Sequence, residues 1–156
     1  MIRKTFFGCA WTFIGLSVIL LIAALFVDTE PESEALPDYV KYQSSIEPAH
    51  EAQVTYLQGF YEDNAEGGDP AYTMRSESHE LAYWVSLPTV VNGQAVGVGV
   101  WLCSGAKDNP GMCLPASGFA TEYSMANSLK NTEAWSMYDL EPINAMREYT
   151  EDQMED

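Results

Sequence analysis

Residues 81–116 read LAYWVSLPTVVNGQAVGVGVWLCSGAKDNPGMCLPA, and how this stretch pairs with itself decides the fold. Asn92-Gly93 is the strongest short-range signal for a two-residue hairpin turn, because both central residues of a type I′ turn need positive φ. A turn there pairs Leu87 with Val98, Val85 with Val100 and Tyr83 with Leu102. Cys103 and Cys113 supply a second pin. In an oxidising compartment they are expected to form a disulfide, and bridging them across a strand pair sets Leu102 opposite Leu114 and Val100 opposite Ala116. The reading is a three-stranded antiparallel sheet. Pro115 cannot donate to a ladder, so the third strand should lie at an edge or stop there.

In this register Tyr83, Val85, Leu87, Val98, Val100, Leu102, Leu114 and Ala116 share one apolar face. Trp84, Trp101, Gly97, Gly99 and the disulfide share the other. Two tryptophans beside two glycines could form an aromatic platform for a sugar or peptide, so Trp84 and Trp101 are a candidate patch. The alternative is that the glycines admit a closely packed helix or loop. Packing is the favoured reading, because aromatic side chains supply core more often than they supply sites.

Upstream, Ser44-x-x-Glu47 has capping-box spacing with Pro48 in the first turn, predicting a helix over 45–61 that covers the apolar face. Asn64–Pro70, with Gly67, Gly68 and Asp69-Pro70, reads as a loop. Downstream, Gly118–Ser124 suggests one or two helical turns and 127–132 a polar connection. A last helix should begin at Asp139, with Pro142 in its first turn and Ile143, Met146 and Tyr149 on one side.

At the amino terminus, Phe6–Val27 is 22 residues without a charge. As a helix it would rise about 33 Å, enough to cross a hydrocarbon core of about 30 Å. A cleaved secretory signal competes with this reading, but its apolar region is shorter and ends in a small-x-small site, for which Ala23 and Leu25 are a poor match. Arg3 and Lys4 precede the segment and no basic residue follows until Lys41. The charge bias keeps the amino terminus in the cytoplasm and exports the rest. The expected organisation is a cytoplasmic tip at 1–5, a transmembrane anchor at 6–27, an acidic linker at 28–44, an extracytoplasmic α+β domain at 45–150 and a disordered tail at 151–156.

Charge narrows the partners. Beyond Val27 there are five basic residues against 23 acidic ones, a net −18, which repels nucleic acid and anionic lipid headgroups. The expected contacts are the membrane, through 6–27, and another envelope protein or polymer. Chemistry is sparse. His50 and His79 are the available near-neutral bases, and Glu47 and His50 fall within one turn of the predicted helix. Glu47, His50 and His79 therefore form a candidate metal set, weighed against the plainer reading of a solvated polar helix face. Asp63 to Asp69 lacks the ligand alternation of a calcium loop. Gly97-x-Gly99 lies inside a strand and opens no dinucleotide-binding helix, and no serine has a nucleophile-elbow context. No catalytic residue and no cofactor are assigned.

Gly97-Val98-Gly99-Val100-Trp101, Pro110-Gly111-Met112 and Phe119-Ala120-Thr121-Glu122-Tyr123-Ser124 resemble the pattern of small, uncharacterised extracytoplasmic proteins of actinobacteria. These carry a short exported α+β domain behind a lipoprotein signal or a membrane helix. The resemblance spans about residues 79–150 and implies a fold and a location but no activity. This chain departs from it in its long anchor without a lipid-attachment cysteine and in Cys103 and Cys113. The functional expectation is a membrane-tethered binding module, with a small enzyme or metal-binding protein using His50, Glu47 and His79 as the alternative.

Overall fold

The computed structural model describes residues 37–126, 129, 132 and 138–155. The anchor expected at 6–27, its charged flank and most of the acidic linker lie outside them. Among the described residues no helix is long and apolar enough to cross a membrane.

The fold is α+β, built on one antiparallel sheet of six strands, where the sequence reading expected three. The strands are β1 (Ile46–Pro48), β2 (Ala65–Gly67), β3 (Tyr72–Arg75), β4 (Ala82–Val91), β5 (Gln94–Ala106) and β6 (Asn109–Pro115). Their order is β1-β3-β4-β5-β6, with β2 pairing β4. Among the described residues three helices accompany the sheet: α1 (Glu51–Gln58), α2 (Gly118–Glu122) and α3 (Leu140–Met154). Two 3-10 turns, Asp38–Lys41 and Gln43–Ser45, precede β1.

The β4–β5–β6 meander forms as expected, but its register differs. Asn92 (φ 52°) and Gly93 (φ 78°) make the predicted turn, with Val91 opposite Gln94 and Val90 opposite Ala95. One residue further on the register shifts, and Thr89 faces Gly97. Val96 is the extra residue of a β-bulge. The bulge moves every later pair by one, so Leu87 faces Gly99, Val85 faces Trp101 and Tyr83 faces Cys103. The β5–β6 pairing keeps the expected register, with Leu102 opposite Leu114 and Cys103 opposite Cys113.

Because side chains alternate, a one-residue shift turns β4 over relative to β5. The single apolar face expected from the sequence is split between two. On one face Trp84, Val98, Val100, Leu102, Leu114 and Ala116 pack with Met74 and with Ile143 and Met146 of α3. On the other, Val85, Leu87, Trp101 and the two cysteines pack with Leu57 of α1, Tyr61 and Ala120 of α2. Both faces are buried.

The first helix starts later than the capping-box pattern suggested. Residues 46–48 are strand, with Ile46 opposite Met74. Helix α1 begins at Glu51 behind a different box: the His50 side chain accepts from the Ala52 amide at 3.1 Å, while Gln53 Oε1 accepts from the His50 amide at 3.1 Å. Helix α3 matches expectation, with Asp139 accepting from the Glu141 amide and Pro142, Ile143 and Met146 buried. It continues to Met154, so residues 151–154, expected to be disordered, are helical. Tyr42 is buried, and Tyr39 meets Tyr149 edge-on at 5.4 Å. Tyr39 and Tyr42 of the predicted linker thus pack on the domain.

Candidate functional site

The three residues of the candidate metal set are not brought together. Glu47 lies on β1 and ion-pairs with Lys107. His50 uses Nδ1 to cap α1. His79 sits in the turn before β4, whose backbone receives the Ala82 amide at 3.1 Å. No group of three His, Cys, Asp or Glu among the described residues is placed to hold a metal ion. The helical spacing behind this candidate set vanished when residues 46–48 became strand.

The tryptophan patch is corrected for the same kind of reason. The bulge puts Trp84 and Trp101 on opposite faces, and they are 2 % and 0 % exposed, so they share no surface. The glycines serve packing. A Cβ on Gly97 would come within 2.4 Å of the Phe119 ring of α2, and the missing side chain is what lets α2 lie on β5. Cys103 and Cys113 are bonded, with Cα atoms 4.0 Å apart, and they face each other across the β5–β6 pair as expected.

Tyr61 Oη, Thr89 Oγ1 and Trp101 Nε1 are buried under the same face. None of the three makes a hydrogen bond within geometric limits among the described residues. Burial pushes the Tyr61 phenol up, and the polar Thr89 and Trp101 side chains beside it oppose the shift without cancelling it. The phenol therefore remains protonated at neutral pH.

Among the described residues, two clefts of about 410 Å³ each are large enough to seat a ligand. The first is apolar and opens at the β4–β5–β6 end of the sheet. Leu81 and Met112, 75 % and 61 % exposed, project at its mouth, with Ala82, Leu102 and Leu114 behind them and His79, Glu80 and Ser104 at the rim. Nothing in the sequence pointed to it, because Leu81 and Met112 are 31 positions apart and meet through the sheet register. The second lies where α2 approaches α3 and is lined by both polar and apolar groups, including Thr121, Glu122, Asn144 and Arg147.

Comparison with known proteins returns no match to this chain, whether as a family model, a curated protein or a solved structure.

Proposed function

We propose that the chain is a single-pass membrane protein, anchored through residues 6–27 with its amino terminus in the cytoplasm, whose acidic domain is an exported binding module that seats an apolar side chain of an envelope protein in the Leu81–Met112 cleft. The cleft carries this reading. Isolated exposed aliphatic residues are ordinary on a protein surface, but here two converge on a concavity with an apolar floor. The partner's flanks should be basic, since the domain and its linker carry a net −18 and complementary charge speeds and orients association.

Site-specific photocrosslinking in intact cells tests the reading. A photoreactive residue at Met112 or Leu81 is expected to capture one discrete protein, and one at Thr55, exposed on α1, is not. Leu81→Asp with the probe at Met112 should abolish the product. Capture of the same protein at equal yield from Thr55, or no product from the cleft positions, overturns the proposal. Labelling from outside the cell at an introduced surface cysteine checks the orientation.

A further inference from the structure

The cleft between α2 and α3 differs from the first in its chemistry. Asn144 and Arg147 are three residues apart on α3 and so share one helical face, and Thr121 and Glu122 reach the cleft from α2. Ser117, which also lines the cleft, spends its hydroxyl on the fold by accepting from the Val100 amide at 2.9 Å, whereas Arg147, Asn144, Glu122 and Thr121 keep hydrogen-bonding capacity. Arg147 forms loose ion pairs with Glu148 and Glu151, each at 4.0 Å and beyond hydrogen-bonding distance, and its side chain is 41 % exposed, so its N–H donors are met by water and open to a ligand in the cleft. Asn144 offers an amide donor and an acceptor, Glu122 is an acceptor, and Thr121 Oγ1 donates to the Ser117 carbonyl at 2.8 Å, keeping its own lone pairs. Ala116, Leu140 and Ile143 provide apolar wall between these groups.

Charge narrows the ligand. A lone guanidinium would suit an anion, but Glu122 lines the same cleft, two further carboxylates stand 4.0 Å from Arg147, and the chain carries −16. That field disfavours anionic ligands. A purely apolar ligand would bury Arg147, Asn144 and Glu122 without partners. A neutral ligand with alternating hydroxyl and C–H surface satisfies all three requirements: acceptors for Arg147, donors for Glu122 and Thr121, and apolar faces for Leu140 and Ile143. We propose that the α2–α3 cleft is a binding site for neutral polyhydroxylated ligands, that is, uncharged glycans, formed by Arg147, Asn144, Glu122 and Thr121. It is separate from the apolar cleft and stands or falls independently of it.

The test uses the full chain held in an amphipol, because sugar-headed detergents would compete. Binding is read on an array of neutral oligosaccharides built from hexoses and N-acetylhexosamines, with uronic-acid oligosaccharides alongside. Retention on at least one neutral glycan is expected. Asn144→Ala and Arg147→Ala should weaken it at least tenfold with unchanged melting temperatures, and Leu81→Asp should leave it unaltered. Arg147→Lys, which keeps the charge but loses the planar fork, should fall between wild type and Arg147→Ala. Failure to retain any neutral glycan, preference for the acidic ones, or equal binding by Asn144→Ala and Arg147→Ala overturns the proposal.

Discussion

One face of the sheet is covered by one long helix together with Tyr42 and Leu129, the other by two short helices and a covalent bond. On the α3 face the helix runs for 15 residues and its buried side chains mesh with β-strand residues from β3 to β6. That face holds itself by apolar area and by one buried polar link, Ser86 Oγ to Thr150 Oγ1 at 2.7 Å. On the opposite face α1 has eight residues and α2 five, too few to be stable alone. There the sheet compensates with Trp101, which meets the rings of Tyr61 and Phe60 at 5.8 and 6.0 Å, and with the disulfide. A long helix supplies most of the cover on its face, with Tyr42 and Leu129 beside it, whereas the short helices are joined by close backbone approach and a cross-link.

The largest effect should come from breaking the helix-sealed face. Val100 is fully buried beneath α3, and Val100→Asp would place an unpaired charge where no cation is at hand. The loss should exceed about 4 kcal/mol, the range expected for an uncompensated buried charge, and leave the domain unfolded. Near-ultraviolet circular dichroism would show it as loss of the aromatic signal, and retention of a cooperative melt would refute the placement of Val100.

The cross-linked face should respond to reduction. The bond closes a loop across a sequence separation of 10, which the chain-entropy account values at about 2.5 to 3 kcal/mol. Urea unfolding with and without reductant should show that difference, and the paired variant Cys103→Ala/Cys113→Ala should match the reduced protein. Thiol labelling of the unfolded, unreduced chain should find one of the three cysteines reactive, Cys9, if the domain matures in an oxidising space. Three reactive thiols would place it in a reducing one.

Gly97→Ala sharpens the same contrast on a smaller scale. The new methyl would collide with the Phe119 ring at about 2.4 Å, and overpacking of this kind costs about 1 to 3 kcal/mol, partly offset by the lower entropy of the unfolded alanine chain. Phe119→Ala in the same protein should remove most of the added penalty, because the two sites touch and their effects cannot be additive. Equal destabilisation with and without Phe119 would mean that α2 does not rest on β5.

What could be read from the sequence follows from how far each signal reaches. The Asn92-Gly93 turn, the Cys103–Cys113 pair and the Asp139 cap with Pro142 are local, and each was recovered. The β4–β5 register was not, because both faces of β4 are apolar. Tyr83, Val85 and Leu87 alternate with Trp84, Ser86 and Pro88, so the pattern accepts either register, and a bulge at Val96 leaves no compositional mark. Strands β1, β2 and β3 have three or four residues and include Pro48 and Gly67, which read as breakers. The start of α1 was misplaced because His50 acts as its cap, a role usually taken by Ser, Thr, Asp or Asn. Neither cleft was read from the sequence, because Leu81 and Met112, and likewise Asn144 and Arg147 with Thr121 and Glu122, are brought together only by tertiary packing.

The smallest effect belongs to the ion pair that ties the segment before β1 to the start of α3. Lys41 Nζ lies 2.7 Å from Glu141 Oε1, with the two side chains 60 % and 54 % exposed. The hydrogen bond from Lys41 lowers the Glu141 carboxyl below its usual 4.5, and the same bond, with a second to Tyr42, raises Lys41 above its usual 10.5. A carboxylate whose folded pKa is depressed contributes stability above its unfolded value and loses it as pH falls through the folded one; a raised lysine contributes below its unfolded value and loses it as pH rises. The pair therefore contributes fully from about pH 6 to pH 9 and fades on the acid side below about pH 4.5. At such exposure solvent and salt screen most of it. Lys41→Met should accordingly lower the melting temperature slightly at pH 7 in low salt, and the difference from wild type should vanish at pH 3 or in 1 M salt. A difference that persisted at pH 3 would assign the role of Lys41 to its aliphatic stem and its contact with the Tyr42 ring, 4.8 Å from Nζ, and not to Glu141.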